Sequence, residues 1–336
     1  MSRAPSAPDE LLDAAASGDR VALARLLSVV ERGGVLSGGV ARLAYAAPPP
    51  YTVGITGAPG SGKSTLTNEL IHAARRGWPA AGERATSEPV DRVGVLAVDP
   101  SSPFTGGAIL GDRVRMQEHA TDPSVFIRSM ATRGHLGGLT LAVPEAVRVL
   151  GAAGFPLVVV ETVGVGQMEV EVASATDTTV VVVTPGWGDA MQASKAGLLE
   201  IADLFVVNKG DRPGVSEARR DLQQMLDLSV PSDWRPPVLT TVASAGDGVE
   251  ELWAAIALHR AHLESSGTLD RRRRARLAQE LRRVLTARVL EDVRTLAAGR
   301  SFEDAVRAIT DGELDPYRAA EALLEERDRQ LREAAR

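Results

Sequence analysis

The sequence contains no cysteine, and only three of its 38 basic residues are lysine. The first absence excludes disulfides, thiolate metal ligands and cysteine nucleophiles. The second makes each lysine conspicuous, since arginine fills every other cationic position. A lysine offers a compact ammonium on a slim stem where arginine offers a planar fork, so Lys63, Lys195 and Lys209 are candidate functional positions. No apolar run approaches the roughly 18 residues of a membrane-spanning helix. The first ten residues lack the apolar segment of a signal peptide, so the expectation is a cytoplasmic protein with no membrane partner. A basic excess is also missing: the net charge of −6 argues against nucleic acid as the main partner. The 44% hydrophobic and 24% charged content over 336 residues is ordinary for a globular chain, long enough for a large core plus appendages.

The stretch that organises the chain is Gly57-Ala58-Pro59-Gly60-Ser61-Gly62-Lys63-Ser64. It follows a short β-branched run, Tyr51 to Thr56, and precedes a helical pattern from Thr65 to Ala74 with Leu66, Leu70 and Ile71 on one face. Strand, Gly-rich loop and helix in that order are the context of a phosphate-binding P-loop. Its glycines allow backbone angles that turn successive N–H groups inward, and the helix N-terminus adds partial positive charge. Lys63 is placed to reach the β- and γ-phosphates, and the Ser64 hydroxyl to ligate Mg²⁺.

Around this loop, apolar strand patterns at 93–98, 125–129, 157–160, 178–183, 204–207 and 238–242 alternate with helical patterns. That alternation predicts an α/β fold with a doubly wound, mainly parallel sheet. Two helices are expected between Asp9 and Arg32, with Asp19 capping the second, and a short one from Val40 to Ala46. The expected division is a helical N-terminal extension (1–47), a P-loop domain (48–264) and a helical C-terminal arm (265–336). The arm contains a long charged helix from Arg271 to Ala297 and a last one from Arg318 to Arg332. Leu277, Leu281, Leu285, Val289 and Val293 recur at four-residue steps on the long helix, a stripe wider than a lone helix hides, and so a packing or dimerisation surface. The Arg271–Arg274 run reads as a solvated helix start. No internal repeat is present.

A second motif narrows the nucleotide. The strand at 204–207 ends in Asn208-Lys209-Gly210-Asp211. The Asp211 carboxylate can accept both the N1 and N2 hydrogens of guanine, which adenine does not supply. Asn208 can bond the base edge and bridge to the P-loop, and the Lys209 stem can lie along the ring. Ser244-Ala245, after the last strand pattern, sits where a backbone N–H meets guanine O6. Glu161-Thr162-Val163-Gly164 ends another strand, with Glu161 near the metal and the Gly164 N–H on the γ-phosphate. Asp99 and Asp112 are further candidates for the metal's surroundings. GTP/GDP and Mg²⁺ are thus the expected ligands.

The chain resembles the MeaB-type GTPases, also called the ArgK family. The segments carrying the resemblance are G-I-T-G-A-P-G-S-G-K-S-T (54–65), V-D-P-S-S-P (98–103), G-D-R-V-R-M (111–116), R-G-H-L-G-G (133–138), E-T-V-G-V-G-Q (161–167), P-G-W-G-D (185–189) and N-K-G-D (208–211). Glu161 itself is part of the likeness, since Ras-like domains carry Asp there. The resemblance implies a homodimeric GTPase of the SIMIBI class. It further implies a chaperone of an adenosylcobalamin-dependent acyl-CoA mutase, one that gates cofactor loading and protects or reactivates the mutase. Lys63, Ser64, Asp99, Asp112 and Glu161 match the family's phosphate and Mg²⁺ residues, and Asn208, Lys209 and Asp211 its base motif. Residues 184–195 match its switch III, with Asp189 and Lys195 as a charged pair facing the partner. Within that switch, Trp187, Ala190 and Met191 depart from the commoner P-G-A-G-D-E-L-Q pattern. The client therefore stays open among methylmalonyl-, isobutyryl-, 2-hydroxyisobutyryl- and ethylmalonyl-CoA mutases. The loop at 78–91 is also longer than the common form.

Hydrolysis is expected by in-line attack of water, with Lys63 and Mg²⁺ neutralising charge and backbone N–H groups cradling oxygens. Gln167 is not adjacent to Gly164, so no water-positioning glutamine is evident and slow basal turnover is expected. Loop residue His135 reads more readily as structural than catalytic. Three alternatives remain. A kinase, the old arginine-transport label, requires ATP, against which Asn208 and Asp211 weigh. A metal-insertion GTPase requires a His- or Cys-rich tract, and five scattered histidines do not supply one. A nucleotide-bound scaffold without turnover would carry the same binding residues.

Overall fold

The strand segments are dominated by β-branched residues with no alternation of polarity, the pattern of parallel strands covered on both faces. In the computed structural model, which describes residues 7–33, 35–77, 89–100, 119, 121–132, 138–162, 173–186, 195–229 and 233–334, they form one seven-stranded sheet. The strands are β1 (Tyr51–Gly57), β2 (Val93–Pro100), β3 (Val125–Thr132), β4 (Leu157–Thr162), β5 (Thr178–Val183), β6 (Leu204–Asn208) and β7 (Val238–Thr241). Their order is β3-β2-β4-β1-β5-β6-β7, and every pairing is parallel. The expected doubly wound sheet is present. Because β1 lies between β4 and β5, the chain winds off in opposite directions from it, and the crevice at the carboxyl end of β1 is where such sheets bind ligands.

Successive side chains along each strand point to opposite faces. On one face, Val53 and Ile55 of β1, Leu157 and Val159 of β4, and Val180 and Val182 of β5 pack with α4 (Lys63–Arg76) and α8 (Val249–Ser265). On the other face, Val158 and Val160 of β4, Leu96 and Val98 of β2, and Phe126 of β3 pack with α5 (Gly138–Ala152) and with α2 (Arg20–Arg32). Val181, Val183, Phe205 and Val207 meet α7 (Val215–Asp227) on that second face. Full burial of each such side chain contributes about 1.5–3 kcal/mol.

The helices before the sheet are α1 (Pro8–Ala16), α2 and α3 (Val35–Ala44). As expected, Asp19 caps α2, its Oδ1 accepting from the N–H groups of Val21 (2.8 Å) and Ala22 (3.1 Å). The third helix starts five residues earlier than its apolar pattern, running through Gly38 and Gly39. A short helix, α6 (Lys195–Ile201), precedes β6.

The chain divides into two units, 1–277 and 278–336, the division falling within α9 (Thr268–Ala297). The second unit also holds α10 (Arg300–Thr310) and α11 (Pro316–Ala334). Its exposed apolar residues include Leu281, Leu285 and Val289. The pattern reading leaves residues 298–310 unassigned, yet α10 forms there with Phe302, Val306 and Ile309 on one face, bracketed by Gly299 and by Asp311-Gly312.

At the amino-terminal edge of the sheet the Arg271–Arg274 run is not simply a solvated helix start. Arg273 Nη2 meets Asp177 Oδ2 at 2.7 Å, Arg276 pairs with the same carboxylate, and Arg272 Nη1 lies 3.0 Å from Asp203 Oδ1. Asp177 and Asp203 immediately precede β5 and β6, and each also accepts a strand N–H, from Thr52 and Thr179 respectively. Burial alone would raise both carboxyls. For Asp177 the Arg273 hydrogen bond and the Arg276 charge overcome this, and for Asp203 His259 and Arg272 do so, leaving both below the usual carboxylate range. Tyr51, buried beside Thr178 at 2.5 Å, is pushed upward by burial.

Candidate nucleotide site

The site grows from the carboxyl end of β1. Gly57 has φ +140°, and a Cβ there would stand 2.0 Å from the Val182 carbonyl oxygen of β5. The loop can therefore leave the sheet at this point only on a glycine. Gly60 (φ +75°) and Gly62 (φ +92°) carry the turn onward into α4, whose N-cap is Gly62. Between them Ser61 is buried, and its N–H donates to the Ala58 carbonyl at 3.2 Å. The first turn of α4, whose N–H groups lie at the helix end rather than in its ladder, thus opens beneath the loop Gly57–Gly62.

Lys63 is 6% exposed, and its Nζ donates to the carbonyls of Gly57 (2.8 Å) and Ala58 (3.0 Å). The ammonium is thereby folded back over the loop. The Ser64 hydroxyl donates to Glu161 Oε1 at 2.6 Å, and Thr67, one turn further along α4, donates to Glu161 Oε2 at 2.9 Å. Glu161 stands next to the end of β4 and is 3% exposed. Thr162 follows it, with its hydroxyl 3.1 Å from that of Thr56 on β1. The first turn of α4 and the end of β4 thus present a hydroxyl and a buried carboxylate to the same space.

The base motif is tied to the same loop. Asn208, buried at the end of β6, donates from Nδ2 to the Ser61 carbonyl at 2.8 Å. Its Oδ1 accepts from Thr241 Oγ1 (3.0 Å) and the Ala243 N–H (3.1 Å). One side chain therefore joins the P-loop, β6 and the segment after β7. Lys209 adopts φ +59°, alone among non-glycine residues described, a conformation costing about 1 kcal/mol or more. Its Nζ reaches the Gly60 carbonyl at 2.6 Å. Gly210 packs so closely on Thr240 that a Cβ would lie 2.6 Å from Cγ2, and its N–H donates to the Thr241 carbonyl. Asp211 follows, exposed, as are Ser244 and Ala245. The Ala245 N–H donates to the Val242 carbonyl at 2.9 Å.

Of the residues singled out from sequence, the structure brings together Gly57 to Thr65, Glu161 and the Asn208–Asp211 motif at one sheet edge. Asp99 belongs to β2 beside β4 at that edge, and Lys195 opens α6; only their backbones are described. Asp112, Gly164 and Asp189 lie outside the described residues, as do His135, Gln167, Trp187, Ala190 and Met191. Pattern reading missed two features. One is Thr67, whose position three residues after Ser64 places both hydroxyls on one helix face. The other is the left-handed backbone of Lys209, which no residue type announces.

A Gly-rich loop between the central parallel strand and a helix, at the switch point of a doubly wound sheet, defines a P-loop nucleotide hydrolase. The family model for the methylmalonyl-CoA mutase-associated GTPase MeaB matches residues 23–298. A putative GTPase of Pyrococcus abyssi is 46% identical over 95% of this chain and 96% of its own. The mouse mitochondrial homologue of the methylmalonic aciduria type A protein is 35% identical over 82% of this chain and 65% of its own. A crystal structure described as a LAO/AO transport system kinase superposes with a TM-score of 0.67 at 28% identity, covering 98% of this chain and all of that one. The chain belongs to the MeaB family and is a GTPase.

Proposed function

We propose that the protein is a GTP-driven chaperone of an adenosylcobalamin-dependent acyl-CoA mutase, gating cofactor loading and protecting or reactivating the enzyme. The mutase association is carried by the family description and by the name of the mouse relative. The guanine reading is carried by one observation: Asn208 ties Ser61 of the phosphate loop to the segment bearing Ser244. Base motif and phosphate cradle are thereby held at fixed spacing. In this reading Asp211 accepts the guanine N1 and N2 hydrogens, Lys209 lies along the base, and the Ser244–Ala245 turn faces O6. The Ala245 N–H already closes a turn on Val242, so Ser244 is assigned the donor role.

Lys63 would exchange its loop carbonyls for β- and γ-phosphate oxygens, and the N–H groups of residues 58–65 would cradle them. A hydroxyl and a carboxylate are hard oxygen donors suited to Mg²⁺, and the Ser64–Glu161 pair at 2.6 Å fits that ion. Ser64 would hold it, with Glu161, Asp99 and Asp112 around it. Bound there, Mg²⁺ supplies charge neutralisation to the β- and γ-phosphates. The Gly164 N–H is assigned to the γ-phosphate. Residues 184–195, with Asp189 and Lys195, are assigned the relay of nucleotide state to the mutase.

Homodimerisation through the exposed stripe Leu281, Leu285 and Val289 completes the reading. Cytoplasmic residence, without membrane or nucleic-acid partners, also belongs to it. Among the described residues no helix is long and apolar enough to cross a membrane. The test is GTP turnover by the purified protein, alone and with each candidate cobalamin-dependent mutase, with ATP as control. Stimulation by one mutase identifies the client, and no stimulation by any overturns the chaperone reading. The kinase wording attached to the superposable crystal structure gives a second reading. It requires ATP to displace bound GDP as well as GTP does.

A further inference from the structure

We infer that Thr67 is a positioning residue for the metal site: its hydroxyl holds the Glu161 carboxylate in the plane that faces the Ser64 oxygen. The inference rests on the GTPase reading of the site and on Mg²⁺ as its cation. Thr67 is fully buried in the second turn of α4, and nothing in the phosphate-loop motif calls for a hydroxyl there. A threonine in a helix interior has a local alternative, a bond back to the carbonyl four residues earlier. Here the hydroxyl instead crosses to β4 and donates to Glu161 Oε2 at 2.9 Å, while Ser64 donates to Oε1 at 2.6 Å.

The two donors divide the carboxylate between them. Ser64 has a lone pair with which to ligate a cation while its proton stays on Oε1. The Thr67 donor on Oε2 restrains rotation of the carboxylate about the Ser64 contact. The need is greater for glutamate than for aspartate, because its extra methylene adds a rotatable bond between strand and carboxylate. Thr67 thus compensates for the longer acid at the end of β4. Partners that orient the groups around a metal commonly change its affinity by about 10–100-fold when removed.

The test uses the full-length protein and a fluorescent GDP analogue, titrated with Mg²⁺ and, separately, in EDTA. Thr67→Val keeps the shape and removes the donor. It is expected to raise the Mg²⁺ concentration for half-maximal tightening of GDP by about tenfold, with GDP affinity in EDTA unchanged. Thr67→Ser is expected to restore the wild-type Mg²⁺ midpoint. On a Glu161→Gln background, Thr67→Val is expected to add no further shift. A Mg²⁺ midpoint unchanged by Thr67→Val overturns the inference, and so does an equal loss of GDP affinity in EDTA, which marks a merely structural role. If Thr67→Val melts early, Thr67→Ala, which leaves room for water, is read against the same criteria. A wild-type protein whose GDP affinity ignores Mg²⁺ overturns the metal site itself, and with it this inference.

Discussion

The side-chain amide of Asn208 occupies the space that a methyl group on Gly62 would need: a Cβ there would stand 2.3 Å from Nδ2. Gly62 also sits at φ +92°, so two independent constraints, backbone angle and close approach, meet at the helix start. The close approach follows from the hydrogen bond by which Asn208 holds the Ser61 carbonyl against the end of β6.

Gly62→Ala is therefore expected to destabilise the protein by about 1–2 kcal/mol from the left-handed backbone alone, with a further loss as Asn208 is displaced. GDP affinity should fall with it. Thermal melts with and without GDP check this. A variant melting and binding like the wild type would show that loop and amide are not in contact.

Asn208→Ala leaves the Ser61 carbonyl, the Thr241 hydroxyl and the Ala243 N–H without their shared partner. At about 1–3 kcal/mol for each buried group left unsatisfied, a loss of several kcal/mol is expected in urea unfolding. Asn208→Asp should recover part of it, because a carboxylate still accepts from Thr241 and Ala243 but offers Ser61 no hydrogen. Equal stability of the two variants would contradict this division of roles.

Asp211→Asn replaces an acceptor of two guanine hydrogens by a group that accepts with one end and donates with the other. GTP affinity is expected to fall by about a hundredfold or more, as for sites left with unmatched polar groups. Xanthine nucleotides, which carry an oxygen at the position of the guanine amine, should gain by comparison. Competition of GTP, XTP and ATP against fluorescent GDP measures all three, and unchanged base preference would remove Asp211 from the base site.

Acid stability should depend on the carboxylates beneath the sheet. Asp177 and Asp203 are both held below the ordinary value of 3.8 in the folded chain. The unfolded chain then binds more protons in acid, so stability rises with pH there. The contribution is complete above about pH 4–5 and is lost as pH falls through the lowered folded values. Asp177→Asn, which strands Arg273 and Arg276, is expected to cost about 3 kcal/mol near neutral pH and to flatten the acid limb of a melting-temperature profile between about pH 3 and 5. An acid limb as steep as the wild type's would place the sensitivity elsewhere.

The stripe on α9 gives a prediction for assembly. Leu285 is 55% and Val289 54% exposed, and charging one of them removes burial available only across an interface. Leu285→Glu is expected to shift the protein to monomer in light scattering while leaving its melting temperature within a few degrees. A dimer that persists would send the interface elsewhere.

The primary sequence by itself determined the class of fold and the location of the site. β-Branched runs such as Leu157–Val160 and Thr178–Val183 have no polar face to expose, so they form only the interior of a covered parallel sheet. The octet from Gly57 to Ser64 and the N-K-G-D at 208–211 are local patterns whose chemistry is written in consecutive residues. The tertiary structure alone decided which distant groups meet. Thr67 and Glu161 are 94 positions apart and Ser61 and Asn208 147 apart; their pairing depends on β1, β4 and β6 lying in one sheet, which no local pattern states. The run at 271–274 looked solvated for the same reason. An arginine's partner is set by which strand ends the sheet order brings beneath the helix, and here those ends carry Asp177 and Asp203.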